Sequence, residues 1–339
     1  MAGLMVMAGM AHAATWHVSP AGSDANPGTE DQPFATIARV VDAVAPGDTV
    51  IIHAGVYPEA VVMKTSGEPD RPIVFQGERG PDGEWLTLLD TGRAVEGWEP
   101  APEVGEGVYK TIALDFAPFS MTLDGKQLAR IRDDYMTGEE GMKLLATPAT
   151  ETVTGSYLIE GLCFWDGLEV LYGQRDGTTW IRFRNGDDPT GMNLKAAPDG
   201  GGIQLKDISY VTVRDLAVRN ARDCVVIEGA GAQYNVIERC DLANGHNRVV
   251  VGSGASHNIV RENEMTPNYY GYADPGAWGA DKPTKHTSIR MRIYGIFKYI
   301  VGFNASDDHG VLMRGGGEDN EVCYNHIYGG LIGISCGDS

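Results

Sequence analysis

The sequence predicts an all-β solenoid, and three observations carry that prediction. The segments NVIERCDL (Asn235 to Leu242) and NIVRENEM (Asn258 to Met265) place like residues 23 positions apart: Asn235 with Asn258, Ile237 with Val260, Cys240 with Asn263 and Leu242 with Met265. A weaker copy, VRDLAVRN at Val213 to Asn220, lies about one period upstream, and NEVCYNHI at Asn320 to Ile327 restates the pattern further on. Self-similarity at such a period is the mark of stacked repeats. The units are shorter than the helical repeats, which run to more than about 30 residues, and their apolar runs are short and rich in Val and Ile, so strands separated by turns fit them.

Local parity supports strands as well. In RCDL, RENEM and YNHI a small or amide residue and the aliphatic residue two places on point inward, with one outward residue between them. Asn263 and Asn325 then become buried amides. Bonding to turn backbone and to one another gives them a structural role.

The chain of 339 residues has a formal net charge of −19 and no basic run. Phosphate binding needs clustered Lys and Arg, so a nucleic-acid partner is excluded as an expectation. The length suits one solenoid with an insertion. The first fourteen residues, MAGLMVMAGMAHAA, are apolar and end in the small-x-small site Ala11-His12-Ala13, which reads as the remnant of a secretory signal. No stretch is long enough to cross a bilayer, so a secreted or periplasmic protein is expected. The five cysteines, Cys163, Cys224, Cys240, Cys323 and Cys336, form no CxxC pair, which points to core and turn positions and away from zinc or a disulfide framework.

Residues 15–90 form the expected cap and first coils. Phe34, Ile37, Ala38, Val41 and Val44 fall at helical spacing before the stop Pro46-Gly47-Asp48, and a strand follows over Thr49 to His53. A helix with one apolar face at this point covers the open end of the stack. Ile73, Val74 and Phe75 supply a core strand after SGEPDRP.

The segments VSPAGSDANPGT, QPFATIARVVDAV, PGDTVIIHAGVY and PEAVV together resemble the opening of secreted right-handed parallel β-helix proteins of the pectate-lyase-like group. The resemblance spans roughly fifty residues and implies that fold, with polysaccharide chemistry among hydrolases, lyases and epimerases that share the opening.

Over 91–197 the rhythm breaks. Aromatic-rich strand candidates such as GVYKTIAL, SMTLDGKQLARI, LEVLYG and TTWIRFRNGDDP carry hairpin signals at Asp124-Gly125 and Asp176-Gly177. An inserted β-rich module is expected there, similar to modules inserted in β-helical glycoside hydrolases, and it is either a wall beside a substrate groove or a stabilising lobe. The solenoid resumes at Gly202-Ile203-Gln204-Leu205 and runs over 198–339, where the apolar ending LIGISCGDS is expected to be a truncation. The interval from Asn258 to Asn320 exceeds two repeats, so a loop near 267–297 should project. Tyr269, Tyr270 and Trp278 in that loop are candidates to stack on sugar rings.

For chemistry, the repeat puts Asp241 and Glu264 at the same outward position in successive coils, with neighbouring strands about 4.8 Å apart. That spacing approaches the ~5 Å carboxyl separation of a retaining glycosidase. The alternative is a solvated pair relieved by Arg239 or Arg261. A second candidate set is Asp307, Asp308 and His309 with Arg314, which resembles the turn carrying catalytic aspartates in polygalacturonase-type β-helices; a comparable turn at Arg222-Asp223-Cys224 supports a structural reading. Hydrolysis by paired carboxylates leads. The alternatives are a uronate lyase, drawing on Lys298, Arg290, Arg292 and Arg314, and a noncatalytic carbohydrate-binding or cell-surface protein. No cofactor is expected, and calcium has no motif to hold it.

Overall fold

The structure is a computed structural model that describes residues 13–131, 136–148, 169–266, 309–327 and 332–337. Among the described residues three parallel sheets of seven, six and six strands wrap one core. Each coil supplies one strand to each sheet in turn: Val236–Glu238 to the first, Asp241–Ala243 to the second and Asn247–Gly252 to the third. The next coil repeats this with Ile259–Arg261, Glu264–Thr266 and His309–Arg314. Register follows the repeat read from the sequence, since Ile237 pairs with Val260 and Leu242 with Met265.

The corners explain why the pattern recurs. Between the first and second sheets Asp215, Arg239, Glu262 and Tyr324 each take a left-handed backbone, with φ between 52° and 59°. Tyr210, Tyr234, His257 and Asp319 do the same before the first sheet. One such residue per corner turns the chain sharply, a conformation that disfavours β-branched residues and keeps Val and Ile out of these places.

Two inner amide ladders hold the coils in register. Asn258 Oδ1 accepts from the backbone N–H and the side chain of Asn235, both at 3.0 Å, and Asn320 Oδ1 does the same for Asn258. Asn263 and Asn325 form the second ladder, with Cys240 N–H donating to Asn263 Oδ1 at 2.9 Å. Both termini of each amide are used, as expected for polar groups kept inside a stack.

At the first end, Ile37, Val40 and Val41 of the helix Ile37–Val41 bury against the core with Phe34 and Val44. The helix is shorter than the apolar spacing suggested. Thr36 caps its start, and Glu59 accepts the N–H groups of Ile37 and Ala38. Asp48 then draws the chain into a turn by accepting from Ala14, Ala45 and the Trp16 indole.

Between Thr87–Asp90 and Gly201–Lys206 lie two small sheets with their own core, including Met121, Leu123, Leu128, Tyr172, Ile181 and Phe183. Both turn pairs named from the sequence close hairpins with positive φ at each residue: 49° and 72° for Asp124-Gly125, 50° and 76° for Asp176-Gly177. That is the two-residue turn whose twist matches antiparallel strands. The helix Glu139–Ala146 departs from the expected β-rich stretch; apart from Gly141 its sequence EEGMKLLA consists of good helix formers, with a Glu139–Lys143 pair one turn apart. Among the described residues Cys224, Cys240, Cys323 and Cys336 are free thiols, and Cys224 and Cys240 are buried. Among the described residues no helix is long and apolar enough to cross a membrane.

Candidate active site

The outer face of the second sheet carries one continuous row of side chains. Val56 pairs with Leu88, Leu88 with Ala217, Ala217 with Asp241, Asp241 with Glu264, and Glu264 with His326. Strand parity fixes this: the neighbours Leu242 and Met265 point into the core, so Asp241 and Glu264 point away from it. The row thus changes from apolar to ionisable along the axis of the stack.

Each acid has a dedicated partner. The Arg219 guanidinium is paired with the Asp241 carboxylate and also donates to the Asp241 carbonyl at 2.7 Å. The Asp241 side chain is 19% exposed, which still leaves it reachable from the trough. Glu264 Oε2 lies 2.6 Å from His326 Nδ1. Adjacent rungs of a parallel sheet lie about 4.8 Å apart at the backbone, so Asp241 and Glu264 are immediate neighbours, with Arg219 holding the first from the coil before and His326 holding the second from the coil after.

Two walls flank the row. On one side the loop between Ile73–Gly77 and Thr87–Asp90 reaches forward, and the Trp85 indole N–H donates to the Arg239 carbonyl at 2.7 Å. Arg79 lies 3.9 Å above the Trp85 ring and bonds the same carbonyl. On the other side the Asp124-Gly125 hairpin tip touches the solenoid where Asn244 Nδ2 donates to Gly125 O. Phe119 packs on His246, with ring centroids 5.7 Å apart. Both walls therefore leave the coil of Thr87–Asp90 and land on the coil of Asp241. They border the row up to Asp241.

Behind the module wall, Asp90 accepts from Lys195 at 2.5 Å and from Asn220 at 2.7 Å. Along the first sheet, Glu238 sits among Arg214, Arg239 and Arg261. Burial alone would push the Glu238 carboxyl up, but hydrogen bonds and charge from Arg261 and Arg239 outweigh it and hold it below its ordinary value. The Arg239 and Arg261 proposed as relief for the acid pair are thus engaged by Glu238 and Asp215. Arg219 fills that role for Asp241.

The other sequence-derived candidates lie elsewhere. His309 and Arg314 stand on the third sheet, away from the row. His309 is 6% exposed and its Nδ1 donates to Asn247 Oδ1 at 2.9 Å, while Asn247 donates to Asp223 at 2.5 Å. Burial pushes the Asp223 carboxyl above its ordinary value. The ladder sets Asp223 against Asn247 and then His309. Arg314 lies 3.8 Å from Glu228. Asp307, Asp308, Tyr269, Tyr270 and Trp278 lie outside the described residues, as does the loop expected near 267–297 and the first twelve residues of the expected signal remnant. Among the described residues no cluster of His, Cys, Asp and Glu has the arrangement of a metal site.

Three residues of the row's surroundings were missed. His326 was readable, because NHI at Asn325 to Ile327 aligns with NEM at Asn263 to Met265. Arg219 and Trp85 had no such signal: neither occupies a repeated residue type.

No family model matches the chain. The structure of XylC in complex with xylose superposes with a TM-score of 0.61 at 15% sequence identity, covering 94% of this chain and 59% of that one. This chain thus spans about 59% of the length of that protein. A structure described as a glycoside hydrolase gives 0.48 at 14% identity, over 75% of this chain and 66% of the other. By sequence, the uncharacterized protein YwoF of Bacillus subtilis (strain 168) is 45% identical over 60 residues, 18% of this chain and 13% of that protein. The likeness to XylC is one of fold, and the fold is a right-handed parallel β-helix.

Proposed function

We propose that this chain is a carbohydrate-active enzyme that hydrolyses glycosidic bonds, with Asp241 and Glu264 as its working pair. One observation carries the reading: two carboxylates stand in register on adjacent rungs of one outer face, at the end of a row that two walls border up to Asp241. Arg219 neutralises and orients Asp241, which suits a nucleophile that attacks the anomeric carbon. Glu264, joined to His326, is the acid that gives its proton to the leaving oxygen. An ester forms between Asp241 and the sugar as the glycosidic bond breaks. Glu264 then takes a proton from water, whose oxygen displaces Asp241 and restores both groups.

A lyase acting on a uronate needs a base near the sugar and positive charge for the substrate carboxylate. Here Arg219 and Lys195 are paired with Asp241 and Asp90, and the floor itself is acidic. That arrangement favours hydrolysis of an uncharged substrate. The xylose bound to XylC is a sugar of that kind. Export to the periplasm or medium accords with the apolar leader read in the sequence.

The test is a panel of polysaccharides and oligosaccharides, followed by reducing ends and by absorbance of unsaturated products. New reducing ends without unsaturation are expected, and Asp241→Asn or Glu264→Gln should each lower kcat/KM about a thousandfold. Wild-type turnover in both variants, or an unsaturated product, would overturn the reading. A protein that binds glycans from the panel but cleaves none would be a binding module.

A further inference from the structure

Arg219 stands between two carboxylates and serves one of them. In the second sheet it is the register partner of Asp90 on the coil before, whereas Asp241 on the coil after pairs with Ala217, two places back, so that Arg219 reaches it diagonally. Leu89 and Val218 point into the core, which puts Asp90 and Arg219 together on the outer face. Among the described residues the Arg219 bonds to side chains nevertheless go to Asp241, and its remaining bonds go to the Asp241 and Val218 carbonyls. Asp90 is occupied from elsewhere. Lys195 Nζ donates to its Oδ2 at 2.5 Å, while Asn220 Nδ2 and the Gly92 N–H donate to its Oδ1 at 2.7 and 3.0 Å.

Lys195 belongs to the inserted module. Its neighbours Leu194 and Ala196 on the strand Leu194–Ala197 fill the module core, so Lys195 points from the opposite face toward the solenoid. Among the described residues it is the one cation paired with Asp90. Asp90 is only 5% exposed, and a buried carboxylate stripped of its cation draws in the nearest one, which by register is Arg219. Asp241 would then lose the charge that holds it.

We propose that Lys195 is a positioning residue for Asp241: by neutralising Asp90 it leaves the Arg219 guanidinium to the nucleophile. This rests on the hydrolase reading of Asp241, and it gives the module a part in setting the charge of the floor as well as in walling it. The other charged and titratable groups around Asp241 are Glu264 on the next rung, His326 beyond it, and Cys224, Asp223 and Arg248 at the turn into the third sheet. The substitutions that follow leave those groups in place.

The test has a geometric and a functional arm. In a crystal structure of Lys195→Met, the Arg219 guanidinium is expected on Asp90 and no longer on Asp241. In the pH profile of kcat/KM, the acid limb, below which Asp241 is protonated and cannot attack, should move up by about half a pH unit or more, because a carboxylate that loses a neighbouring cation holds its proton more tightly. Adding Asp90→Asn to Lys195→Met removes the competitor and should return both Arg219 and the limb to their wild-type positions, and Lys195→Arg should keep both there. A purely structural Lys195 would lower stability and leave the limb where it is. Lys195→Gln, which offers Asp90 a donor without a charge, carries the same expectations if Lys195→Met does not fold. Arg219 still on Asp241 in the charge-free variant, or an acid limb that does not move, overturns the proposal. If the wild-type protein cleaves no glycan, the hydrolase reading fails, and the crystal structures still decide which carboxylate Arg219 takes, so the two failures are distinguishable.

Discussion

Asn258 accepts from Asn235 through its oxygen and donates through its nitrogen to Ala232 and Asn320, all within the stack. Truncation to Ala leaves the Asn235 backbone N–H buried without its acceptor, whereas the Ala232 carbonyl keeps Ser256 N–H and the Asn235 side chain keeps the Ile208 carbonyl; one such orphan costs about 1–3 kcal/mol. Asn258→Ala should therefore lower stability by about 2 kcal/mol in urea denaturation, and a loss below about 0.5 kcal/mol would show that the ladder is incidental. The asparagines at 263 and 325 were legible as structural because they recur at one phase of the repeat with an aliphatic residue two places on. Arg219 was not legible in the same way. Its pairing with Asp241 crosses from one coil to the next, and nothing local in VRN announces it.

At the scale of elements, the corners between the first and second sheets are tied by Asp215, Glu238, Arg239 and Arg261. Glu238 titrates below its ordinary value of 4.5 in the folded chain, where hydrogen bonds and charge from Arg261 and Arg239 overcome its burial. A depressed carboxyl contributes stability that is present above the unfolded value and is lost as pH falls through the folded one. Wild type should thus exceed Glu238→Gln in stability at pH 7, and the difference should shrink once the pH drops below 4.5. A pH-independent difference in denaturation midpoints would contradict this. Strands and corners of the repeat were readable because side-chain parity and turn residues are local. The helix Glu139–Ala146 was hidden in a segment judged by its aromatic strands. The walls of the trough were hidden for another reason: Trp85 meets Arg239 across 154 positions and Asn244 meets Gly125 across 119, contacts that only the stacking of coils creates.

For the whole molecule, the parallel solenoid converts a sequence period into a ruler. Residues one period apart come to lie one rung apart, so two acids written in the same phase must face the same way at the spacing of the strands. The pairing of Asp241 with Glu264 could therefore be read from sequence, while its setting could not. His309 and Arg314, read as part of a second candidate set, share the strand His309–Arg314 of the third sheet and so lie on another face from the row. The most direct test of the acid pair is proton NMR of the anomer first released from a cleaved neutral glycoside. A pair on adjacent rungs that works at the about 5 Å carboxyl separation of retaining enzymes predicts retention of configuration. First release of the inverted anomer would contradict the account.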